Sequence, residues 1–433
     1  MFLGWSADFA TVATVRRMDN PWRPLILPRM TGQTDITIIG GGLTGPLLAL
    51  ALAKSGFSVC VIDQIAEKVR SNAGFDGRAY AVALSSCRLL TALDLWEDLA
   101  PNAQPILDIK VTDGHAGQGP SPFFMHFDHA ELEEGPMGHM IEDRHLRRAL
   151  LDRLAADPRI QTLEKVSVTS QTIAENGITV GLNDGTNIAS TVVVGADGRG
   201  SGTAKRAGIS RTGWGYGQSA LVCAIEHKRP HSGVAHQFFM PPGPLAILPL
   251  KGNRSAIVWS ENKEQAAAIH ALPDANYIRV LQPRFGSFLG NITLAGKRWT
   301  YPLSLSLAHS LVADRVALVG DSAHGVHPIA GQGLNAGMRD IAALAQILAE
   351  AKARGEDVGS EVVLKRYEEW RRFDNTALAL ATDTFNRLFS NDNPLLRFGR
   401  DVGMGVVQAI PALRRGFMRE AAGLTGDIPK LMQ

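Results

Sequence analysis

The motif Gly40-x-Gly42-x-x-Gly45 follows the short apolar run Ile36-Thr37-Ile38-Ile39 directly and opens a Leu- and Ala-rich stretch, Leu43 to Ser55. An apolar run of that length suits a strand buried in a parallel sheet, and the stretch after it reads as a helix. Gly56 ends the helix, and Ser58 to Ile62 forms a second apolar strand ending at Asp63. This is a complete β-α-β unit. The first Gly permits the tight turn, the second lets a pyrophosphate approach the backbone, and the third allows close helix packing. The helix N-terminus adds free N–H donors and a positive dipole end. Asp63 stands at the spacing expected of a carboxylate that binds ribose hydroxyls. A purely structural glycine turn is the competing reading. Agreement of strand, helix, second strand and acidic end favours dinucleotide binding, without distinguishing FAD from NAD.

Two later motifs bear on that choice. Val192-Val193-Val194 runs into Gly195-Ala196-Asp197-Gly198, followed by Arg199 and Ser201. The run Arg315 to Val319 leads into Gly320-Asp321-Ser322-Ala323-His324, then His327-Pro328, Gly331-Gln332-Gly333-Leu334-Asn335 and Asp340. A strand ending in Gly-Asp aims a carboxylate at a ribose or ribityl hydroxyl. A helix beginning near Gly333 turns its N–H groups toward a flavin ring or pyrophosphate. By spacing, Asp321, His324 and His327 also read as a small metal cluster. No further ligand pattern accompanies them, so no metal is expected and neither histidine is assigned a proton transfer.

The rest of the chain suggests an α/β protein: a Rossmann-like FAD-binding domain with an inserted, mostly antiparallel β substrate domain and C-terminal helices. The expected boundaries place the cofactor domain at 35–105, 138–213 and 296–350, the substrate domain at 106–137 and 214–295, and a helical region at 351–433. Arg78 to Leu99 reads as helical, Ile106 to Phe127 as short β pieces, and Asp143 to Ala156 as a charged amphipathic helix. Asn183-Asp184-Gly185-Thr186 marks a hairpin turn. Four strand-like segments, Ala220 to Ile225, Gln237 to Met240, Leu245 to Leu250 and Ala256 to Trp259, resemble one antiparallel sheet. Residues 1–34 form an irregular extension without the apolar core of a secretory signal. The apolar positions Phe398, Val402, Val406, Val407, Ile410 and Leu413 are expected to pack against the body, with a membrane-leaning surface as the alternative.

The formal charge of +2 in 433 residues gives no electrostatic case for nucleic acid. No apolar run reaches the roughly 18 to 20 residues of a membrane-spanning helix. Cys60, Cys87 and Cys223 form no paired motif and read as buried thiols of a reducing compartment, so a cytoplasmic location is expected.

In order and spacing, the three motifs resemble the group A flavoprotein monooxygenases, the family that includes p-hydroxybenzoate hydroxylase. Further stretches resemble its ubiquinone-biosynthesis hydroxylases: Asp76-Gly77-Arg78-Ala79 with Ala83-Leu84-Ser85, Glu142-Asp143-Arg144, Gln218 to Val222 with His227, and Gly243 to Ala246 with Leu248-Pro249-Leu250. The run His327 to Asn335, Tyr367-x-x-x-Arg371-x-x-Asp374, and Thr382-Asp383 through Leu388-Phe389 also fit. The resemblance covers Asp35 to Ala421. It implies FAD as cofactor, NAD(P)H as electron donor and O2 as co-substrate, with a C4a-hydroperoxyflavin hydroxylating a polyprenylated phenol. It places Pro328 and Gly331 to Asn335 beside the isoalloxazine, Asp321 on the ribityl chain, Arg78 and Arg144 along the flavin or its pyrophosphate, and Gln218 on the substrate side. It also implies membership of a ubiquinone-biosynthesis protein complex and peripheral contact with the inner membrane. The chain departs from the family at Ala204, where an Arg is usual, and at Asp63, where Glu is commoner. A soluble aromatic acid as substrate, or a flavin-binding scaffold with little activity, are the competing readings.

Overall fold

A computed structural model describes residues 30–115, 119–241, 243–327, 331–389 and 403–433. Two eight-stranded sheets organise it. In the first, Met30–Ile39 lies between Val59–Asp63 and Asn187–Gly195, parallel to both, and Ile160–Glu164 and Val316–Leu318 extend the parallel set on either side. Val59–Asp63 is buried at every position, as a strand covered on both faces must be. Helix Thr44–Lys54 covers this sheet with an almost unbroken buried run from Gly45 to Ala53. Helix Gln332–Ala353 packs against it, and Glu361–Phe389 packs against that helix in turn.

The second sheet runs Gly119–Asp128, Asp108–His115, Val234–Phe239, Leu245–Leu250, Arg254–Asn262, Arg211–His227, Ile292–Ala308 and His324–Gly325 in spatial order. All its pairings are antiparallel except Val234–Phe239 with Asp108–His115. It has its own core around Leu221, Ile257, Trp259, Tyr277 and Leu281. A small third sheet of Ala79–Ala83, Gly138–Glu142 and Gln104–Ile106 completes the β structure.

The structure differs from the sequence reading in four places. The first strand begins at Met30, so residues 30–34 belong to the sheet rather than to an irregular extension, and 1–29 lie outside the described residues. Ala79–Ala83 is a strand, and the helix begins only at Leu84. There, pairing with Gly138–Glu142 overrides the helical preference of the alanines. Ile292–Ala308 is a single long strand crossing the expected boundary at 296. Its apolar alternation is broken at Gly296-Lys297-Arg298, but its ladder to Arg211–His227 resumes through a register shift. Lastly, Val406, Ile410 and Leu413 are exposed, while Met404 and Met418 do the packing. Phe398 and Val402 lie outside the described residues. The three cysteines are buried and free, and burial pushes each thiol up to about 12.

Candidate cofactor and active site

The glycine loop is built as its spacing requires. Gly40 sits at φ +115°, and a Cβ there would lie 2.3 Å from the Ala196 carbonyl oxygen. A Cβ on Gly45 would lie 1.9 Å from the Gly40 oxygen, so only glycine lets the helix come this close to the turn. Gly42 differs: nothing among the described residues lies within 4 Å of where its Cβ would be, leaving an open cradle. No side chain caps helix Thr44–Lys54, whose first N–H groups therefore remain for a ligand. Asp63 accepts from the Gly41 N–H at 2.5 Å and from the Ile65 N–H at 2.6 Å. Arg70, missed by sequence reading, donates to the Gly41 oxygen at 2.7 Å. Its Nε and Nη2 are buried without a partner among the described residues, which fits a site that receives an anion.

From Arg70 a cavity of about 200 Å³ extends past Asn72, Asp76, Arg78, Arg144 and Arg147. Arg78 forks onto Asp76 at 2.9 and 2.7 Å, lies 3.2 Å from Asp143, and faces the Trp299 ring at 5.0 Å. Asp143 also accepts from Tyr80 at 2.7 Å and Arg147 at 2.8 Å. Burial opposes its charge, but these donors hold its carboxyl below the usual range. Arg144 pairs with one oxygen of Glu142 at 2.7 Å and Arg254 with the other at 2.7 Å, both guanidiniums facing the Phe75 ring. Arg78 and Arg144 are thus braced side chains on the wall of this cavity, not loose surface residues.

The Asp197 carboxylate is spent on its own loop, accepting from Ser201 Oγ at 2.5 Å and from the Thr203 N–H and hydroxyl at 2.9 Å. It thereby fixes the turn through Gly198, whose φ is +78°. Ala204, at the position where the family has Arg, is buried, and nearby Arg206 reaches back to Gln171 at 2.6 Å. Asp321 is half-exposed and pairs with Arg199 at 3.1 Å. A second cation missed from sequence, Arg211, donates to the Asp321 backbone oxygen at 3.2 Å.

Gly331 caps helix Gln332–Ala353 in the left-handed region at φ +66°. Asn335 clips this helix start to the small sheet, accepting from the Ala83 N–H and donating to the Ala81 oxygen, each at 2.9 Å. Gly333 and Leu334 lie in the same first turn. Pro328 lies outside the described residues. Gln218 is on the second sheet, where its Oε1 accepts from Asn386 of helix Glu361–Phe389 at 3.1 Å. His327 is buried with neither ring nitrogen partnered among the described residues, and burial pushes it down to about 4, so it is neutral. His324 is 2.5 Å from Asp340. Among the described residues no cluster of His, Cys, Asp and Glu is arranged to hold a metal ion.

Residues 33–379 match the FAD binding domain family. The chain is 44% identical over 402 residues to the ubiquinone hydroxylase UbiL of Rhodospirillum rubrum, covering 92% of each protein. It belongs to the FAD-dependent ubiquinone-biosynthesis hydroxylases. This hydroxylase is also 34% identical to the 3-demethoxyubiquinol 3-hydroxylase of Escherichia coli, across 91% of its own length and all of the relative's. Its fold is that of the p-nitrophenol 4-monooxygenase PnpA of Pseudomonas putida, with a TM-score of 0.75 at 20% identity, over 91% and 99% of the two chains.

Proposed function

We propose that this enzyme hydroxylates the aromatic ring of a polyprenylated phenol on the way to ubiquinone, using O2 and electrons from NAD(P)H. The observation that carries the reading is the open glycine cradle at Gly42 beside the buried, unpartnered nitrogens of Arg70, in a chain whose near relatives are named for ubiquinone hydroxylation. The redox chemistry belongs to the bound FAD. The work of the chain is to bind, orient and shield. Gly40, Gly42 and Gly45, with the start of helix Thr44–Lys54, hold the pyrophosphate. Asp63 keeps acceptor capacity for ribose hydroxyls beyond its two backbone bonds. Arg78 and Arg144 flank the cofactor, and Gly320 and Asp321 take the ribityl chain. Gly331, Gly333, Leu334 and Asn335 shape the ring site with Pro328, and Gln218 faces the substrate. Asp197 acts indirectly, by locking the turn that carries Gly198 against Gly40.

Quinone profiling by mass spectrometry tests the assignment. Cells lacking the protein should accumulate an under-hydroxylated polyprenyl phenol, cured by the intact chain but not by Asp321→Ala. Normal ubiquinone, in a cell with no second hydroxylase able to substitute, sinks the assignment.

The same reading brings the enzyme to a lipid surface from the side. No helix among the described residues is long and apolar enough to cross a membrane. Helix Pro411–Ala421 docks by Met418 and leaves Leu413 and Phe417, one turn apart, exposed with Arg415 between them. An apolar face of this kind beside basic residues suits an interfacial helix. Replacing Phe417 by Glu should weaken co-sedimentation with phosphatidylglycerol-containing vesicles by about tenfold, the effect of withdrawing one large side chain from lipid. Unchanged sedimentation removes this helix from the contact.

A further inference from the structure

The buried carboxylate of Asp340 has no place in the cofactor contacts described above, yet it is the most heavily bonded acid near them. It is wholly buried and accepts from four donors. Two come from the cofactor loop: the Gly320 N–H at 3.0 Å and His324 Nε2 at 2.5 Å, both on Oδ2. Two come from helix Glu361–Phe389: Arg371 Nε at 2.9 Å and Asn375 Nδ2 at 3.3 Å, both on Oδ1. Arg371 is itself buried and also holds Asp374 at 2.5 Å. A charge in such a place is tolerated only when it is paired and fully bonded, so the four contacts form one unit.

What the unit holds is the turn after strand Val316–Leu318. Gly320 is at φ +60°, with Gly337 of helix Gln332–Ala353 packed on its Cα. Ser322 is sunk beneath the turn, donating to the Gly195 oxygen at 2.5 Å. Asp321, between these two anchors, is the one acid of the turn that points outward. Fixing Gly320 from below and Ser322 from behind sets the direction of the Asp321 side chain.

We infer that Asp340 is a positioning residue: by clamping the Gly320 N–H it presets Asp321 for the cofactor, and through Arg371 and Asn375 it makes that preset depend on helix Glu361–Phe389. The inference rests on the assignment of Asp321 to the cofactor. Asp340→Asn keeps the shape but turns one acceptor oxygen into a donor. His324 can answer by exposing a lone pair on Nε2, with the proton moved to Nδ1, which has no partner here. The Gly320 N–H and Arg371 have no such alternative.

FAD titration of the apoprotein by flavin fluorescence, in a double-mutant cycle with Asp321→Ala, tests the idea. Asp340→Asn alone should weaken FAD about tenfold to a hundredfold, the usual effect of unpairing a charged hydrogen bond. In the Asp321→Ala background the same change should cost no more than about twofold further, the scatter of independent sites. Equal losses in both backgrounds overturn the positioning role. An Asp321→Ala chain that binds FAD normally overturns both this role and the assignment of Asp321. Should Asp340→Asn fail to fold, Arg371→Lys keeps the charge, withdraws Nε from Oδ1, and is expected to give the same Asp321-dependent pattern, read the same way.

Discussion

Gly45→Ala should cost this hydroxylase its FAD, whereas Gly42→Ala should cost FAD without disturbing the fold. A methyl at Gly45 would sit 1.9 Å from the Gly40 backbone oxygen. That oxygen cannot withdraw alone, because Gly40 is held by the Ile62 carbonyl through its N–H at 2.8 Å and is packed on Ala196. Helix and turn must separate. Overpacking of this kind costs on the order of 3 kcal/mol, or about a hundredfold in any equilibrium that needs the turn. Both the melting temperature of the apoprotein and its FAD affinity should fall. At Gly42 a methyl meets no atom of the described residues within 4 Å, so it intrudes on the space of the ligand. The apoprotein should melt as wild type and bind FAD much more weakly. Wild-type affinity in Gly42→Ala would mean that the cradle is not where the pyrophosphate lies.

The contrast between these glycines was legible in the sequence because, apart from the packing of Gly40 on Ala196, what it depends on lies between Ile36 and Asp63. Local spacing dictates the β-α-β unit, and the apolar runs dictate burial on both faces. Features assembled from distant segments were not legible. Ala79–Ala83 reads as helix in isolation and becomes a strand only because Gly138–Glu142 lies beside it. Arg70 looks like a surface cation at the end of a four-residue helix, yet folding turns it back onto Gly41, 29 positions earlier. The Asp340 cage draws on Arg371, 31 residues on, and Asn335 reaches the Ala83 N–H across 252. No local pattern announces such convergences. The bonds that the Asp197 carboxylate accepts from Ser201 and Thr203 lie within the motif's own loop, and only the folded turn shows them.

The second large effect should separate the two halves of the enzyme. Trp259 is buried in the core of the second sheet, where its neighbours include Leu221, Ile257, Tyr277 and Leu281. Arg284 faces its ring at 4.7 Å and pairs with the buried Glu261 at 3.2 Å. Trp259→Ala therefore removes a large apolar body, and the resulting cavity should cost about 3–5 kcal/mol. The loss falls on a core distinct from the one beneath the glycine loop, which is built from Ile36, Ile38, Leu47, Leu48 and Val61. Gln218 sits on the strand hydrogen-bonded to that of Trp259, at the register Leu221 to Trp259. The second sheet should loosen while the sheet behind the glycine loop stays ordered. Hydroxylation should drop at least about tenfold, with FAD still bound and an early, separate step in the thermal melt. If FAD is instead released in proportion to the lost hydroxylation, the sheets unfold as one unit. The links of Asp76 to Lys297 and Trp299, at 3.1 and 2.8 Å, would then be among those that couple them, with Gln218 to Asn386 and Arg211 to the Asp321 oxygen.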